Sequence, residues 1–586
     1  MEQTKLTGYP SIDKPWLKYY SKEAERITIP ECSFYEDMYL HSRHRSGIAF
    51  EYMGLKTSYR KMFYMIDKAA KAFIAVGVHA GDIVSVCLPN IPEVIYVLYA
   101  INKIGAIANM LDPRSGEADL RDALVDGESV VLVILDSVAD KFNTIYSRTP
   151  LKKVITVSAI QSLPAIVQSI LRITDRSLRR RGPKHFITWN KFIQMGRTIS
   201  SVAPVNCDSN ADAVIAYTGG TTGVPKGVIA TNRNINAVVE MEKIVGFCNW
   251  EGERLLDIAP PWTYYGLCNS LHISLCFGIC AVLIPKLGAD ELGKVVQKWK
   301  PNHVITVPSA LFAVINDEHS SVQDYSFLKT IVVGADKLDE SLEQQVNAFL
   351  RNHGSNAIVT KGYGMTEVMA AAAYTKTECD GIGSVGVPYP GILISAFVEN
   401  NGIMRECKTG EIGELAIHGP TMMRGYFGKA APETTEVIKV HADGTAWVHT
   451  GDLGYIDKDA RIYIEGRIKR MFVANGYKVF PGSIEHCLME HPLIKQAAVV
   501  PVHNSVVGNH IHAYIVLARK ESIDVLARKE SIDQLKEDLS TMLREKLYDY
   551  ELPNSYEFVN EFPLTLMGKI DYRALEERAA KEYLEK

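Results

Sequence analysis

Short apolar runs alternate with helical patterns through the first half of this chain. Ile83 to Leu88 predicts a buried strand, Val130 to Leu135 is a continuous apolar run rich in β-branched residues, and Pro92 to Ile104 between them has the period of a helix. Val304 to Val307 and Ile331 to Val333 repeat the strand pattern. Continuous apolar strands separated by helices are typical of parallel sheets covered on both faces. The pattern predicts an α/β fold whose ligand sites lie on loops at the carboxyl ends of strands.

Bulk properties limit the class of protein. A chain of 586 residues exceeds one hydrophobic core, so two or more domains are expected. The hydrophobic content of 47% is ordinary for a soluble globular protein, and the net charge of −4 gives no general basis for nucleic-acid binding. The polar start of the chain shows no signal-peptide core, and ten scattered cysteines fit a reducing compartment. A soluble cytoplasmic protein, monomer or homodimer, is expected.

A loop rich in glycine and threonine follows the strand pattern Ala213 to Tyr217. Its candidate phosphate-binding residues are Thr218, Gly219, Gly220, Thr221, Thr222, Gly223 and Lys226. Glycines let backbone N–H groups crowd around an anion, threonines add hydroxyl donors, and the lysine adds a positive charge. A nucleoside triphosphate requires this chemistry, although the spacing is not that of a Walker A loop.

The loop resembles the phosphate loop of the ATP-dependent adenylate-forming enzymes, a family of acyl-CoA and aryl-CoA ligases, adenylation domains and luciferases. Four further motifs follow at that family's order and spacing, so the resemblance covers roughly residues 45 to 575. It implies the adenylating-enzyme fold. Layered βαβ sheets and a β-barrel-like subdomain would occupy residues 1–466, and a small mobile α+β domain would occupy residues 467–586.

The resemblance assigns nucleotide binding to two loops that follow predicted strands. They consist of Gly334, Ala335 and Asp336, and of Gly362, Tyr363, Gly364, Met365, Thr366 and Glu367. Tyr363 would stack on adenine and Thr366 would donate to the α-phosphate. Glu367 would help to hold Mg²⁺, which prefers hard oxygen ligands and bridges carboxylates to phosphates.

Further along, the resemblance implies a ribose site and a hinge. Asp452 would accept hydrogen bonds from both ribose hydroxyls, and Arg467 would supply the matching donor. Lys469 corresponds to the hinge about which the C-terminal domain swings. The loop Gly476-Tyr477-Lys478 corresponds to the one that closes over the coenzyme A tunnel, with Lys478 among the nucleotide contacts.

Lys569 matches the mobile catalytic lysine of the family. Attack of a carboxylate on the α-phosphate builds negative charge that a lysine brought in by domain closure would offset. The implied mechanism has two steps. ATP and an acid give an acyl-adenylate and pyrophosphate while Lys569 is in the site; then the domain rotates about Lys469, and coenzyme A displaces AMP.

The acyl pocket is expected around Trp262, Thr263, Tyr264 and Tyr265. Amino-acid adenylation domains carry an aspartate in this stretch, whereas no aspartate occurs between Pro260 and Leu271 here. Burying an ammonium without a carboxylate is costly, so an aliphatic or aromatic acid is expected, with a medium- or long-chain fatty acid favoured. An aryl-CoA ligase, an adenylation enzyme loading a carrier protein, and a non-catalytic nucleotide or acyl binder remain open.

The segment from Ser162 to Lys184 combines an apolar stripe with a basic end. The apolar members are Leu163, Val167, Ile170, Leu171 and Leu178, and the basic ones are Arg172, Arg176, Arg179, Arg180, Arg181 and Lys184. A peripheral membrane contact near a lipid substrate is one interpretation. An ordinary surface helix with a solvated basic loop is the other, and the lone stretch favours it.

A tandem duplication occurs near the end of the chain. The nine residues from Val516 to Asp524 recur unchanged from Val525 to Asp533. Nine residues are too few for a repeat architecture. We expect the insertion to lengthen a strand-to-helix connection or the start of the helix, and to leave the site untouched.

Overall fold

The structure of the protein is a computed structural model. The structure describes residues 6–175, 178, 182–205, 208–218, 225–288, 291–317, 319–338, 340–379, 381–401, 403–474, 477–504, 508–518, 529–565 and 569–584. Within these ranges no helix combines the length and the apolar character needed to cross a bilayer.

The strands span, in chain order, Ile48–Tyr52 (β1), Leu55–Ser58 (β2), Ile83–Cys87 (β3), Ile107–Met110 (β4), Val131–Leu135 (β5), Lys153–Val157 (β6), Ile187–Thr188 (β7), Asp212–Tyr217 (β8), Gly227–Thr231 (β9), Arg254–Asp257 (β10), Cys280–Leu283 (β11), His303–Thr306 (β12), Thr330–Val333 (β13), Val359–Tyr363 (β14), Ala373–Tyr374 (β15), Val387–Pro388 (β16), Leu393–Asn400 (β17), Ile403–Glu406 (β18), Gly413–His418 (β19), Gly425–Tyr426 (β20), Ile438–Val440 (β21), Ala446–Ile456 (β22), Ile462–Arg467 (β23), Phe472–Ala474 (β24), Tyr477–Val479 (β25), Ile494–Asn504 (β26), Gly508–Leu517 (β27) and Ser555–Phe558 (β28).

The α-helices span Pro10–Asp13 (α1), Phe34–Ser42 (α2), Tyr59–Ala75 (α3), Pro92–Lys103 (α4), Glu117–Asp126 (α5), Ala139–Ile145 (α6), Ala165–Thr174 (α7), Trp189–Met195 (α8), Asn232–Val245 (α9), Tyr264–Gly266 (α10), Ile273–Phe277 (α11), Leu292–Trp299 (α12), Pro308–Ile315 (α13), Glu340–Asn352 (α14), Thr434–Val437 (α15), Pro481–Met489 (α16), Lys529–Arg544 (α17) and Tyr572–Leu584 (α18). A π-helical turn, Leu267–His272, joins α10 to α11.

Two large sheets form the body of the protein. The first has nine strands in the order β16-β15-β14-β13-β12-β10-β11-β1-β2, and the second has eight in the order β20-β9-β8-β4-β3-β5-β6-β7. Their central strands pair in parallel, as β3 does with β4 and β5, and β13 with β12 and β14. The predicted α/β fold is therefore confirmed. The carboxyl ends of β10, β13 and β14 lead into predicted ligand loops.

Antiparallel strands follow in the second half of the chain. Strands β17, β18, β19, β21, β22 and β23 form a six-stranded sheet where the barrel-like subdomain was expected. Beyond it, a two-stranded sheet (β24-β25) and a three-stranded sheet (β26-β27-β28) pack with α16, α17 and α18. Two buried clusters in this last part consist only of residues between Phe472 and Ala579, so it has a core of its own.

The tandem duplication joins β27 to α17. The first copy supplies Val516 and Leu517 at the end of β27, and the second copy supplies Lys529 to Asp533 at the start of α17. The predicted position between a strand and a helix is confirmed at both ends. Most of the residues between them lie outside the described ranges.

We predict that deleting Val525 to Asp533 changes the free energy of unfolding by no more than about 1 kcal/mol, because loop length has a small entropic cost. In the deleted chain, Ile523 takes the place of Ile532, which packs partly against the C-terminal core. Denaturant titration and the rate of acyl-CoA formation check this expectation. A large loss of either would show that the second copy has a role of its own.

Candidate active site

The predicted phosphate loop connects two antiparallel strands, β8 and β9, rather than a strand and a helix. The Thr218 amide donates to the Lys226 carbonyl over 2.9 Å, and the Lys226 amide donates to Thr218 Oγ1 over 3.1 Å. These two bonds close the neck of the loop. Gly219, Gly220, Thr221, Thr222 and Gly223 lie outside the described residues.

Buried Tyr264 contacts both strands of this hairpin. Its hydroxyl donates to the carbonyl oxygens of Val214 and Val228, at 3.0 and 2.8 Å, one on each strand. The side chain that was predicted to line the acyl pocket therefore also fixes the strands that carry the phosphate loop.

Tyr426 joins the phosphate loop to the predicted magnesium ligand. The Lys226 ammonium lies 5.0 Å from the centre of the Tyr426 ring and forms an ion pair with Glu433. The Tyr426 hydroxyl donates to Glu367 Oε1 over 2.6 Å. Two motifs far apart in the sequence are thereby brought to one place, as the family resemblance implies.

The environment of Glu367 fits a magnesium ligand. Its side chain is buried, and it follows Thr366 in a 3₁₀ turn after β14. Among the described residues, the hydrogen bonds to this carboxylate engage Oε1. A single carboxylate oxygen is what Mg²⁺ needs from a protein when phosphates and water supply its other ligands. Thr366, the predicted α-phosphate donor, precedes it in the chain and is half-buried.

Asp452 is the centre of a second cluster. Arg467 Nε lies 2.7 Å from Asp452 Oδ1, and the Tyr363 hydroxyl donates to Asp452 Oδ2 over 2.7 Å. Asp452 and Arg467 are paired residues on β22 and β23, so the sheet register sets their contact. Burial raises the pKa of Asp452, and the Arg467 guanidinium opposes that rise. Each carboxylate oxygen keeps a lone pair for a ribose hydroxyl.

Lys569 reaches this cluster from the far end of the chain. A tight turn holds it, in which the Thr565 amide donates to the Lys569 carbonyl over 2.7 Å. Burial lowers the pKa of Lys569, Asp336 opposes the shift, Arg467 adds to it and Asp452 opposes it. The three groups are therefore close enough for their charges to act on the ammonium. The predicted catalytic lysine therefore lies within electrostatic range of predicted nucleotide residues.

Ion pairs anchor the chain on both sides of Lys469. Arg467 is held to Asp452 in the larger part of the molecule. Arg470 forms a bidentate pair with Glu485, at 3.1 and 2.5 Å, and its guanidinium lies 3.5 Å from the centre of the Tyr572 ring. Ile468 and exposed Lys469 lie between the two ion-paired arginines. Backbone rotation at these two residues would break neither ion pair.

The loop expected to close over coenzyme A lies on a hairpin of β24 and β25. Tyr477 is exposed and stacks on Tyr550, with ring centres 4.4 Å apart. Lys478 is exposed beside it, and Gly476 lies outside the described residues. An exposed tyrosine stacked on a half-buried one, next to a lysine, suits a surface that meets a ligand in another domain orientation.

Three residues in or just after the predicted nucleotide loops have strained backbone conformations. Ala335, Met369 and Ala370 have φ values of 68°, 55° and 57°, in the left-handed region that residues with a Cβ rarely adopt. A Cβ on Gly364 would lie 2.4 Å from the Ala370 carbonyl carbon, so only glycine fits there. Gly362 has room, since the nearest atom to an added Cβ is 4.0 Å away.

Tyr265 lies between the nucleotide loop and the predicted acyl pocket. Its hydroxyl donates to the Thr306 carbonyl at the end of β12 over 3.2 Å. Thr263 caps α10 by accepting a hydrogen bond from the Gly266 amide over 3.1 Å. It thereby fixes the start of the helix that carries Tyr264 and Tyr265. Half-buried Trp262 packs under Arg114, whose guanidinium lies 5.3 Å from the ring centre.

We predict that Gly334→Ala weakens acid binding. The added Cβ would lie 3.1 Å from the Tyr265 hydroxyl oxygen and 3.2 Å from its Cζ, which is closer than ordinary packing allows. Displacing Tyr265 should raise the KM for the acid by about tenfold, which corresponds to a small overpacking cost. The KM for ATP should change much less. Gly47→Ala, where no atom lies within 4 Å of an added Cβ, is the matched control.

Sequence reasoning missed Tyr426 and Glu433. Both lie after the nucleotide loops, outside the motifs that carry the resemblance. The available signal was a tyrosine just after Gly425 and just before the Phe427-Gly428 pair, in a stretch otherwise without strand periodicity. Such an aromatic residue between glycines indicates a close backbone approach.

The chain matches known proteins over most of its length. Residues 41–427 match the model of a family described as AMP-binding enzyme, and residues 483–569 match that of the AMP-binding enzyme C-terminal domain. A long-chain-fatty-acid–CoA ligase of Bacillus subtilis is 28% identical over 580 residues, covering 97% of this chain and 99% of that protein.

Solved structures share the fold. The anthranilate CoA ligase AuaEII in complex with anthranoyl-AMP aligns with a TM-score of 0.80 at 19% identity, covering 95% of this chain and 99% of its own. ATP-bound MatB from Rhodopseudomonas palustris aligns with a TM-score of 0.79 at 20% identity, covering 94% and 100%. At these identities the likeness concerns the fold alone.

Proposed function

The chain belongs to the AMP-binding enzyme family and is an AMP-forming acid–CoA ligase, and we propose that it activates a medium- or long-chain fatty acid in the cytoplasm. ATP and coenzyme A are its co-substrates. The division into residues 1–466 and 467–586, with rotation at Lys469, belongs to the same proposal. The observation that supports it best is the cluster at Asp452, whose carboxylate is contacted by Arg467 Nε and by the Tyr363 hydroxyl, each at 2.7 Å.

The adenylation step follows from that cluster. Asp452 holds the ribose, Tyr363 lies on the adenine, and Thr366 with the phosphate loop orients the α-phosphate. The substrate carboxylate attacks the α-phosphorus, and pyrophosphate leaves with the electron pair of the broken P–O bond. Lys569 offsets the charge that develops on the phosphoryl oxygens. Mg²⁺, when held by Glu367, neutralises charge on the phosphates.

The thioester step requires a different face of the small domain. Rotation at Ile468 and Lys469 withdraws Lys569 and brings the hairpin of Tyr477 and Lys478 toward the acyl-adenylate. The coenzyme A thiolate then attacks the acyl carbon, and AMP leaves. The ion pairs of Arg467 with Asp452 and of Arg470 with Glu485 fix the chain on either side of the rotating bonds.

The preference for a fatty acid is based on the pocket residues and on relatives. Tyr265 and Trp262 present apolar surfaces, and the stretch from Pro260 to Leu271 contains no carboxylate for an ammonium. The relative from Bacillus subtilis is named a long-chain-fatty-acid–CoA ligase, and the match covers 99% of its length.

One observation favours an aryl acid as the second candidate. Trp262 Nε1 is buried, and among the described residues it has no hydrogen-bond partner. A buried donor without an acceptor is costly, and a polar substituent on an aromatic acid would satisfy it. Trp262→Phe should then reduce activity with such acids and leave fatty acids unaffected.

A panel of acids tests the proposal. ATP–pyrophosphate exchange is measured with short, medium and long straight-chain acids, with aryl acids and with amino acids. We expect the fastest exchange with medium or long chains, and formation of the acyl-CoA when coenzyme A is added. Fastest exchange with aryl acids would support the second candidate. Exchange with amino acids alone, or transfer only to a carrier protein, would contradict the proposal.

A further inference from the structure

Asp452 lies in a bulge of β22. Strands β19 and β22 run antiparallel, with Ala416 opposite His449 and Glu414 opposite Leu453. Two steps along β19 therefore correspond to four along β22, so this stretch of β22 carries two extra residues. Bulges of this kind bend a strand and are common next to active sites, where they redirect a side chain. The direction of the Asp452 carboxylate therefore depends on what holds the bulge in shape.

Glu414 holds this bulge with both of its carboxylate oxygens. The Gly451 amide donates to Oε1 over 3.0 Å, and His449 Nδ1 donates to Oε2 over 2.8 Å. One bond is made at the start of the extra stretch and the other inside it. Gly451 has a φ of 70°, a left-handed value that no regular strand contains, so strand pairing alone does not impose its conformation.

Glu414 is charged in this position. Burial raises its pKa, but the hydrogen bonds from His449 and Gly451 outweigh burial, and the pKa is lower than that of an ordinary glutamate. An ionised carboxylate accepts at both oxygens, and hydrogen bonds to a charged group are stronger than those between neutral groups. Glu414 therefore holds the bulge firmly although its side chain is only half-buried.

Thr450 completes the bulge. Its hydroxyl donates to the Leu415 carbonyl over 2.7 Å and accepts from the Asp452 amide over 3.0 Å. The amides of Gly451 and Asp452 are thus both bound by side chains, one by Glu414 and the other by Thr450. A buried amide without an acceptor is costly, so the backbone has little freedom while both acceptors are present.

We propose that Glu414 is a positioning residue for ATP, which fixes the bulge of β22 so that the Asp452 carboxylate meets the ribose. Glu414 acts through the backbone at Gly451, while Asp452 keeps its own contacts with Arg467 and Tyr363. This role rests on the proposed function of Asp452 in ATP binding. It belongs to a residue outside the motifs that carry the family resemblance.

Glu414→Ala should raise the KM for ATP about tenfold, which is the effect of losing one hydrogen bond to a charged group. The kcat and the KM values for the acid and coenzyme A should change much less, because Asp452 binds the nucleotide alike in the ground state and the transition state. Glu414→Gln keeps an oxygen that accepts from the Gly451 amide, so it should restore most of the affinity for ATP. Steady-state kinetics with each substrate varied in turn measure these effects.

A double-mutant cycle shows whether Glu414 acts through Asp452. In a protein that already carries Asp452→Ala, the change Glu414→Ala should raise the KM for ATP by less than about twofold, since the group that it positions is gone. The same tenfold rise in both backgrounds would overturn the inference, because Glu414 would then affect ATP by a route that does not include Asp452.

Glu406→Ala is the matched control. Glu406 is a half-buried glutamate of β18 in the same sheet, and its carboxylate accepts from the Ser395 hydroxyl over 2.6 Å and from the Ser11 amide and hydroxyl over 2.9 and 2.7 Å. Its removal should lower the melting temperature at least as far as Glu414→Ala does, and should leave the KM for ATP unchanged. An equal rise of the KM for ATP in both variants would assign the effect to lost stability and overturn the inference.

Asp452→Ala by itself separates the two proposals. An unaltered KM for ATP in this variant would contradict the ribose assignment, and the role of Glu414 would fall with it. A weakened Asp452→Ala beside an unaltered Glu414→Ala would overturn the positioning role alone. Neither result depends on which acid the enzyme activates.

Discussion

Lys569→Ala should reduce the rate of acyl-adenylate formation by about 10²- to 10³-fold, the usual loss on removing one positioned donor to a developing oxyanion. The turn that begins at Thr565 holds Lys569. Burial lowers the pKa of its ammonium, and the charges of Asp336, Arg467 and Asp452 also act on it. Carboxylate-dependent pyrophosphate exchange measures this step.

The same variant should form thioester normally from synthetic acyl-adenylate and coenzyme A, since rotation removes Lys569 from the site before that step. Lys581→Ala, which alters an exposed lysine on α18, is the matched control and should affect neither half-reaction. Equal loss of both half-reactions in Lys569→Ala would show that the lysine supports the fold of its domain instead of adenylation.

The elements of the sheets were predictable because their signal is local. The run from Val130 to Leu135 gave β5 to within one residue, since continuous β-branched residues have few alternatives to a buried strand. Pro92 likewise marked the start of α4. The antiparallel course of β9 after the phosphate loop was not predicted. Whether a strand or a helix follows such a loop depends on which edge of the sheet is free to pair. The local periodicity of the sequence carries no information about that edge.

The site was predictable in its motifs and not in the contacts between them. Glu367 and Asp452 were identified from their own loops, whereas the link from Lys226 through Tyr426 to Glu367 joins residues far apart in the chain. Such contacts are set by packing of whole sheets. The direction of α7 is a similar case. Its period predicted an amphipathic helix, but the hydrogen bonds from Gln168 to two carbonyl oxygens of the preceding turn decide which side meets the solvent.

Asp452→Ala should raise the KM for ATP by about 10²-fold or more, because it removes the acceptor for two ribose hydroxyls, and hydrogen bonds to a charged group contribute about 1.5–3 kcal/mol each. It also leaves Arg467 and the Tyr363 hydroxyl without their partner. Asp459→Ala is the control, since this half-exposed aspartate lies just beyond the end of β22 and pairs only loosely, at 3.8 Å, with Lys18 and Arg461.

Deoxy analogues of ATP separate ribose recognition from a general loss of structure. The unmodified enzyme should use 2′-deoxy-ATP and 3′-deoxy-ATP much less efficiently than ATP. If Asp452 holds both hydroxyls, Asp452→Ala should treat the three nucleotides nearly alike, because the group that distinguishes them is gone. A variant that is weakened equally for all three, with the original preference kept, would place ribose recognition elsewhere. The buried carboxylate would then serve to orient Arg467 and Tyr363 alone.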